Sequence, residues 1–201
     1  MRKAEPILTP ELIRIMKIFG LASLCIVLIF SFFNERRANN SGDSSITRIT
    51  ASSRLFFENV RQIKYEKETR RDAKMDIFRL KKRIKSKKLY LINLSIIISR
   101  LRDEAYIFVE PSEILSQQNK IQLRWHDQHQ RENGQISFEP GDRFAHFDFV
   151  KKLFLLLEED KDFEVKINGA WKKILADEKE RKAFITTATD YFRLVEKNQN
   201  S

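Results

Sequence analysis

The stretch "KLYLINLSIII", residues 88 to 98, is apolar at most positions and rich in β-branched side chains. This pattern is typical of a central strand whose two faces are both buried. After the polar residues "SRLRDE", a β pattern resumes in "AYIFVE", residues 105 to 110. Together the two stretches predict an antiparallel hairpin in the middle of a sheet.

Two more hairpins are predicted downstream. The arms of the first are "IQLRWH" and "QISFE", with Asn133-Gly134 as a tight turn between them. The second is "FEVKINGAWKKIL", in which two β-like arms surround Asn168-Gly169. Residues 46 to 72 are ambiguous and are interpreted as a strand followed by a helix or an irregular turn.

Two amphipathic helices are predicted in the C-terminal part. The first runs from about Arg143 to Glu159 with Asp142 as its N-cap. The second follows "DEKE", residues 177 to 180, whose acidic start resembles a helix N-terminus. The fold class is therefore α+β, with an antiparallel sheet of about five to seven strands and two C-terminal amphipathic helices over residues 46–197.

The N-terminal region carries the most apolar segment. Ile18 to Phe33 are sixteen residues without a charge, about 24 Å of helix. Leu12 extends the segment, and Arg14 and Lys17 can reach toward headgroups. Because about 20 residues cross a bilayer core, residues 12–33 are predicted to be a transmembrane anchor inserted in the lipid bilayer.

Two alternatives to the anchor remain open, a cleaved signal and lipidation. A signal peptide needs small residues at its cleavage site, whereas bulky Phe30, Phe32 and Phe33 lie there. Lipidation of Cys25, the only cysteine, is disfavoured by Leu24 before it. An uncleaved anchor is therefore the favoured interpretation.

The anchor divides the chain into predicted regions. Residues 1–11 form a tail, residues 34–45 a polar tether, and residues 198–201 a disordered tail. Basic residues are slightly more frequent before the segment than after it, which favours a cytoplasmic N-terminus and an extracytoplasmic main domain.

The net charge of +10 comes from the region after this segment. Residues 34–110 contain nineteen Lys or Arg and ten acids. The densest part is a run of seven cations within ten residues: Arg79, Lys81, Lys82, Arg83, Lys85, Lys87 and Lys88.

The basic run has three interpretations. It is a solvated loop between strands, a contact for anionic lipid or an acidic partner, or a nucleic-acid site. Nucleic acid is the least favoured partner, because only Tyr90 is close enough to the run to stack on a base.

Catalytic and metal-binding patterns are sparse. His126 and His129 lie three residues apart in a β pattern, where such positions point to opposite faces. Asp148 follows the third histidine, His146, without a recognisable nucleophile. The sequence therefore predicts no metal, no cofactor and no catalytic residue.

The resulting functional hypothesis is a single-pass membrane protein with an α+β binding domain, acting as an accessory or assembly component of a membrane complex. The alternatives are an enzyme of unfamiliar type using His126, His129 or Asp148, and a domain that contacts anionic lipid through the basic run. In the first hypothesis a protein of the membrane complex is the partner.

Overall fold

The computed structural model describes residues 10–32, 46–86, 88–127 and 132–195. Internal contacts divide the chain into two units, Met1–Gly42 and Asp43–Ser201. Within the described residues, the first unit contains one helix, and the second contains all the strands and the remaining helices.

Helix α1 (Pro10–Phe32) is the N-terminal helix of 23 residues. Among the described residues, the structure has no helix with both the length and the apolarity needed to cross a membrane. The predicted anchor at 12–33 is therefore wrong. The physical reason lies in the first turns, where Glu11, Arg14 and Lys17 are charged, so the uncharged helical part spans only residues 18–32, about 22 Å.

Several predictions depended on that anchor. A single-pass membrane protein with an extracytoplasmic domain, and its role as an accessory component of a membrane complex, are overturned by the same finding. The predicted tether at 34–45, the tail at 198–201 and most of the tail at 1–11 lie outside the described residues.

The first sheet has four antiparallel strands in the order β1-β2-β3-β4. Its strands are β1 (Tyr65–Arg70), β2 (Met75–Leu80), β3 (Ile92–Ser99) and β4 (Ala105–Pro111). The predicted hairpin is confirmed as β3 and β4, and Ile96 in the centre of β3 is completely buried. Strands β1 and β2 were not predicted, because β1 is an edge strand that buries only its first residue, Tyr65.

The second sheet has four antiparallel strands in the order β6-β5-β7-β8. Its strands are β5 (Ile121–His126), β6 (Asn133–Phe138), β7 (Asp162–Ile167) and β8 (Ala170–Ile174). Within the described residues, eight strands thus form two sheets, whereas one sheet of five to seven strands was predicted. Hydrophobic pattern identifies strands but does not assign them to a sheet, since sheet membership depends on long-range pairing.

The two Asn-Gly pairs have different roles. Asn168 and Gly169 have positive φ angles of 49° and 82° and form the tight turn between β7 and β8, as predicted. Gly134 instead lies within β6, opposite Trp125, so the prediction of a turn there is wrong. A Cβ at Gly134 would come within 2.7 Å of the Trp125 ring, and glycine is needed there for packing.

A composite helix connects the start of the second unit to β1. Helix α2 (Ala51–Phe56) continues as a π-helical turn (Phe57–Arg61) and a 3-10 turn (Gln62–Lys64). We call this the helical segment 51–64. The predicted strand before it is reduced to one bridge between Arg48 and Glu104.

The C-terminal helices cover the first sheet. Besides the short α3 (Glu113–Ser116), they are α4 (Arg143–Glu158) and α5 (Glu178–Val195), close to the predicted bounds. Asp142 caps α4 as predicted, accepting hydrogen bonds from the backbone N–H groups of Phe144 and Ala145 at 3.0 Å. The buried side chains of both sheets and both helices form one hydrophobic core.

Candidate lysine-rimmed binding groove

The basic run lies where β2 ends and the chain crosses to β3. Arg79 lies in β2, which pairs with β1 on one side and with β3 on the other. Its Nη1 is 2.6 Å from Glu68 Oε2, and its Nε is 2.8 Å from Glu110 Oε1. Because Arg79 connects carboxylates across the sheet, its charge is already compensated within the domain.

Two further cations of the run, Arg83 and Lys85, share one carboxylate of β1. Glu66 accepts hydrogen bonds from Arg83 at 2.9 Å and from Lys85 at 2.5 Å. The bonds from Lys85 and Arg83 lower the pKa of Glu66 to about 2. Arg79, Arg83 and Lys85 thus form ion pairs within the domain, and the contact of the run with lipid or an acidic partner stays a prediction. Lys88 is exposed, and Lys87 lies outside the described residues.

The other two cations of the run, Lys81 and Lys82, line a groove of about 420 Å³. The groove has an apolar floor and a rim of five lysines, and we call it the lysine-rimmed groove. Its lining residues are Ile63, Lys64, Leu80, Lys81, Lys82, Lys179, Lys182, Ala183 and Thr186.

Three elements build the groove: the 3-10 turn, the end of β2 and the first turns of α5. The backbone N–H of Lys81 donates to the carbonyl of Lys64 at 2.9 Å. Lys81 Nζ donates to the carbonyl of Ile63, also at 2.9 Å. These two bonds join the 3-10 turn to the end of β2 and set one wall of the groove.

A buried ion pair holds the opposite wall. The Asp190 carboxylate of α5, fully buried, accepts from Arg61 Nε at 2.6 Å and from Tyr65 Oη at 2.7 Å. Burial raises the pKa of Tyr65, and its bond to the Asp190 carboxylate adds to this increase. Asp190 therefore ties α5 to the helical segment 51–64 and to β1, which fixes the two walls relative to each other.

The rim is electrostatically uncompensated. Within the described part of the chain, Lys64, Lys82, Lys179 and Lys182 form no ion pair. The five lysines around the apolar surface create a positive electrostatic potential there. The groove can therefore hold an apolar group that carries carboxylate or phosphate groups at its edges.

Sequence reasoning identified only part of this site. Lys179, Lys182, Ala183 and Thr186 have the spacing i, i+3, i+4 and i+7, which places them on one face of α5. This helical spacing is the sequence pattern from which a shared face of α5 could have been predicted. Their proximity to Lys81 and Lys82 was not available from the sequence, because the two stretches are about a hundred residues apart.

The catalytic candidates that the structure describes lie on separate elements. His126 ends β5 and lines a pocket with Arg124 and Glu164, Asp148 lies on the exposed side of α4, and His129 is outside the described residues. In the ranges that the structure covers, no group of three or more His, Cys, Asp or Glu residues is arranged to hold a metal.

His146 has a structural role that the sequence did not indicate. Its Nδ1 accepts a hydrogen bond from the backbone N–H of Val109 at 3.1 Å, and the centroids of its ring and the Phe108 ring are 4.2 Å apart. Burial lowers the pKa of His146, while Asp142 acts in the opposite direction. A neutral imidazole thus satisfies a backbone donor on the edge strand β4.

Fold and groove together define a two-sheet α+β domain with a basic, apolar-floored groove. No protein-family model, no curated protein and no solved structure matches the chain significantly.

Proposed function

We propose that the domain is a binding module that receives an acidic, apolar segment of a partner protein in the lysine-rimmed groove. The observation that carries the proposal is the combination of an apolar floor with a rim of lysines that lack ion pairs among the described residues. Charge complementarity then selects a partner rich in Asp and Glu.

The composition of the floor favours a protein over a nucleic acid. The apolar lining residues are Ile63, Leu80 and Ala183, and none of the described lining residues has an aromatic ring on which a base could stack. The groove is open to solvent, since its lining residue Ile63 is 75% exposed. Sites for small ligands enclose about 70–90% of the ligand surface. An open groove of this kind favours a peptide over an isolated lipid.

The test uses a five-residue peptide that contains a Leu-Phe pair flanked by three acidic residues, and a second peptide with Lys in place of each acid. We expect the full-length chain to bind the acidic peptide and not the basic one. The K82E/K182E double variant should bind the acidic peptide about tenfold more weakly, since each exposed charge pair contributes up to about 1 kcal/mol.

The matched control is K151E/K152E, which makes the same charge change on exposed positions of α4. If both double variants lose binding equally, the loss results from the change in net charge, and the groove is not the binding site. Phosphatidylserine vesicles are the second probe. If the chain binds these vesicles but not the acidic peptide, the partner is a lipid surface and the proposal is wrong.

A further inference from the structure

An apolar stripe lies on the exposed side of the helical segment 51–64, beside the groove. It consists of Phe56, Val60 and Ile63, which are 47%, 49% and 75% exposed. The opposite side of the same segment faces the core, where Phe57 is 1% exposed and packs against Phe78. The stripe is therefore not the side that stabilises the domain.

The change of helix type keeps the stripe aligned. Phe56 and Val60 are four residues apart across the π-helical turn, and Val60 and Ile63 are three apart where the 3-10 turn begins. A π-helical turn contains more residues than an α-helical one, and a 3-10 turn contains fewer. Each pair is thus separated by about one turn, and the three side chains project from the same side.

The stripe is continuous with the groove, because Ile63 belongs to both. The combined surface is elongated, with apolar contacts one helical turn apart and lysines at one end. A helix that packs along another helix presents side chains at this same repeat. An extended strand would present one side chain every two residues instead.

We infer that the acidic segment of the partner is an amphipathic helix, which lays its apolar side chains along the stripe and directs its carboxylates to the groove lysines. The inference rests on the proposed function and specifies the form of the partner. Helix-in-groove recognition uses apolar anchors at i, i+3 or i+4, and i+7, as the stripe requires.

The experiment compares two 14-residue acidic peptides of identical composition. One places its Leu and Phe residues at i, i+4 and i+7, and the other redistributes them so that no apolar face forms. We expect the first peptide to bind more tightly than the five-residue peptide and to gain helical circular dichroism on binding. The redistributed peptide should bind no better than the five-residue peptide.

The variant that tests the stripe is F56S/V60S. It should weaken binding of the amphipathic peptide roughly tenfold, since two apolar contacts are lost, and leave binding of the five-residue peptide unchanged. The matched control is L101S/L155S, which alters two exposed leucines elsewhere, 76% and 52% exposed. This control should bind both peptides as the parent does.

The outcomes separate the two proposals. If K82E/K182E weakens binding but F56S/V60S does not, the groove binds an acidic segment and the helical form is wrong. If the five-residue peptide does not bind at all, the proposed function itself is wrong. If sedimentation shows a dimer that F56S/V60S dissociates, the stripe is a contact between copies of the chain and the inference is overturned.

Discussion

Glu180 lies in an environment that disfavours its usual ionised form. It lies in the first turn of α5, only 7% exposed, and its Oε1 accepts no hydrogen bond from the described residues. Burial raises its pKa to about 7, with a smaller increase from Asp177, although the backbone amides of Leu175 and Ile92 and the charge of Arg181 oppose this shift. The folded protein therefore binds a proton at Glu180 more tightly than the unfolded chain does.

This environment predicts a stability that depends on pH. Because the pKa is raised on folding, the contribution of Glu180 is complete below the ordinary value of 4.5 and is lost as the pH rises through about 7. The E180Q variant, which cannot ionise, should match the parent at pH 4.5 and exceed its free energy of unfolding by about 2 to 3 kcal/mol at pH 8. Urea unfolding at the two pH values measures the difference.

E178Q is the control for this experiment, because Glu178 is exposed in the same helical turn. It should follow the pH dependence of the parent. A parallel pH profile for E180Q and the parent would show that Glu180 is ionised in the folded protein.

At the scale of elements, α5 is attached to its neighbours by the Asp190 cluster. Arg61 and Tyr65 reach Asp190 from elements about 125 residues away along the chain. The Asp190 cluster consists of Asp190, Arg61 and Tyr65. Removing the carboxylate is expected to lower the free energy of unfolding, because Arg61, whose side chain is only 19% exposed, would lose its partner.

The D190A variant should therefore lose about 3 to 5 kcal/mol of unfolding free energy. Y65F should lose about 1.5 to 3 kcal/mol, since the hydrogen bond that its hydroxyl donates to a charged carboxylate is removed. Because the cluster fixes the groove walls, D190A should also weaken binding of the acidic five-residue peptide. Urea unfolding and peptide titration measure the two effects. In D103A, the lost ion pair is exposed and 3.4 Å long, and a change below about 0.5 kcal/mol is expected. A similarly small change in D190A would contradict the role of the cluster.

At the scale of the whole molecule, the excess positive charge is divided into compensated and uncompensated parts. Arg79, Arg83 and Lys85 are held by carboxylates of the first sheet, whereas the groove lysines are not. Added salt screens exposed charges, with a Debye length falling from about 10 Å at 0.1 M to about 3 Å at 1 M.

Binding of the acidic five-residue peptide should accordingly weaken about tenfold between 0.05 M and 0.5 M NaCl. The K82E/K182E variant should have a flatter dependence, because fewer charges take part. Isothermal titration at a series of salt concentrations measures both slopes. If the affinity does not change with salt concentration, binding depends on apolar contacts alone and the groove lysines do not contribute to it.

The comparison of sequence and structure separates local from long-range information. The β3–β4 hairpin, the turn at Asn168-Gly169 and the cap at Asp142 were predicted, because each depends on residues close together in the chain. Strands β1 and β2 were missed, since β1 is stabilised by pairing and ion pairs rather than by its own apolar pattern.

The basic run illustrates the same limit for function. The sequence identified a concentration of positive charge but gave its seven cations one common role. In the structure, three of them pair with Glu66, Glu68 and Glu110, and folding brings Lys179 and Lys182 to the two that line the groove.

By itself, the sequence determined the α+β class, the strands with strong apolar patterns, the two C-terminal helices and the location of excess positive charge. Only the tertiary structure decided that the strands form two sheets and which lysines surround an apolar floor. The physical reason is that periodicity and capping act within a few residues. Sheet order, burial of charge and the walls of a groove depend on contacts between distant parts of the chain.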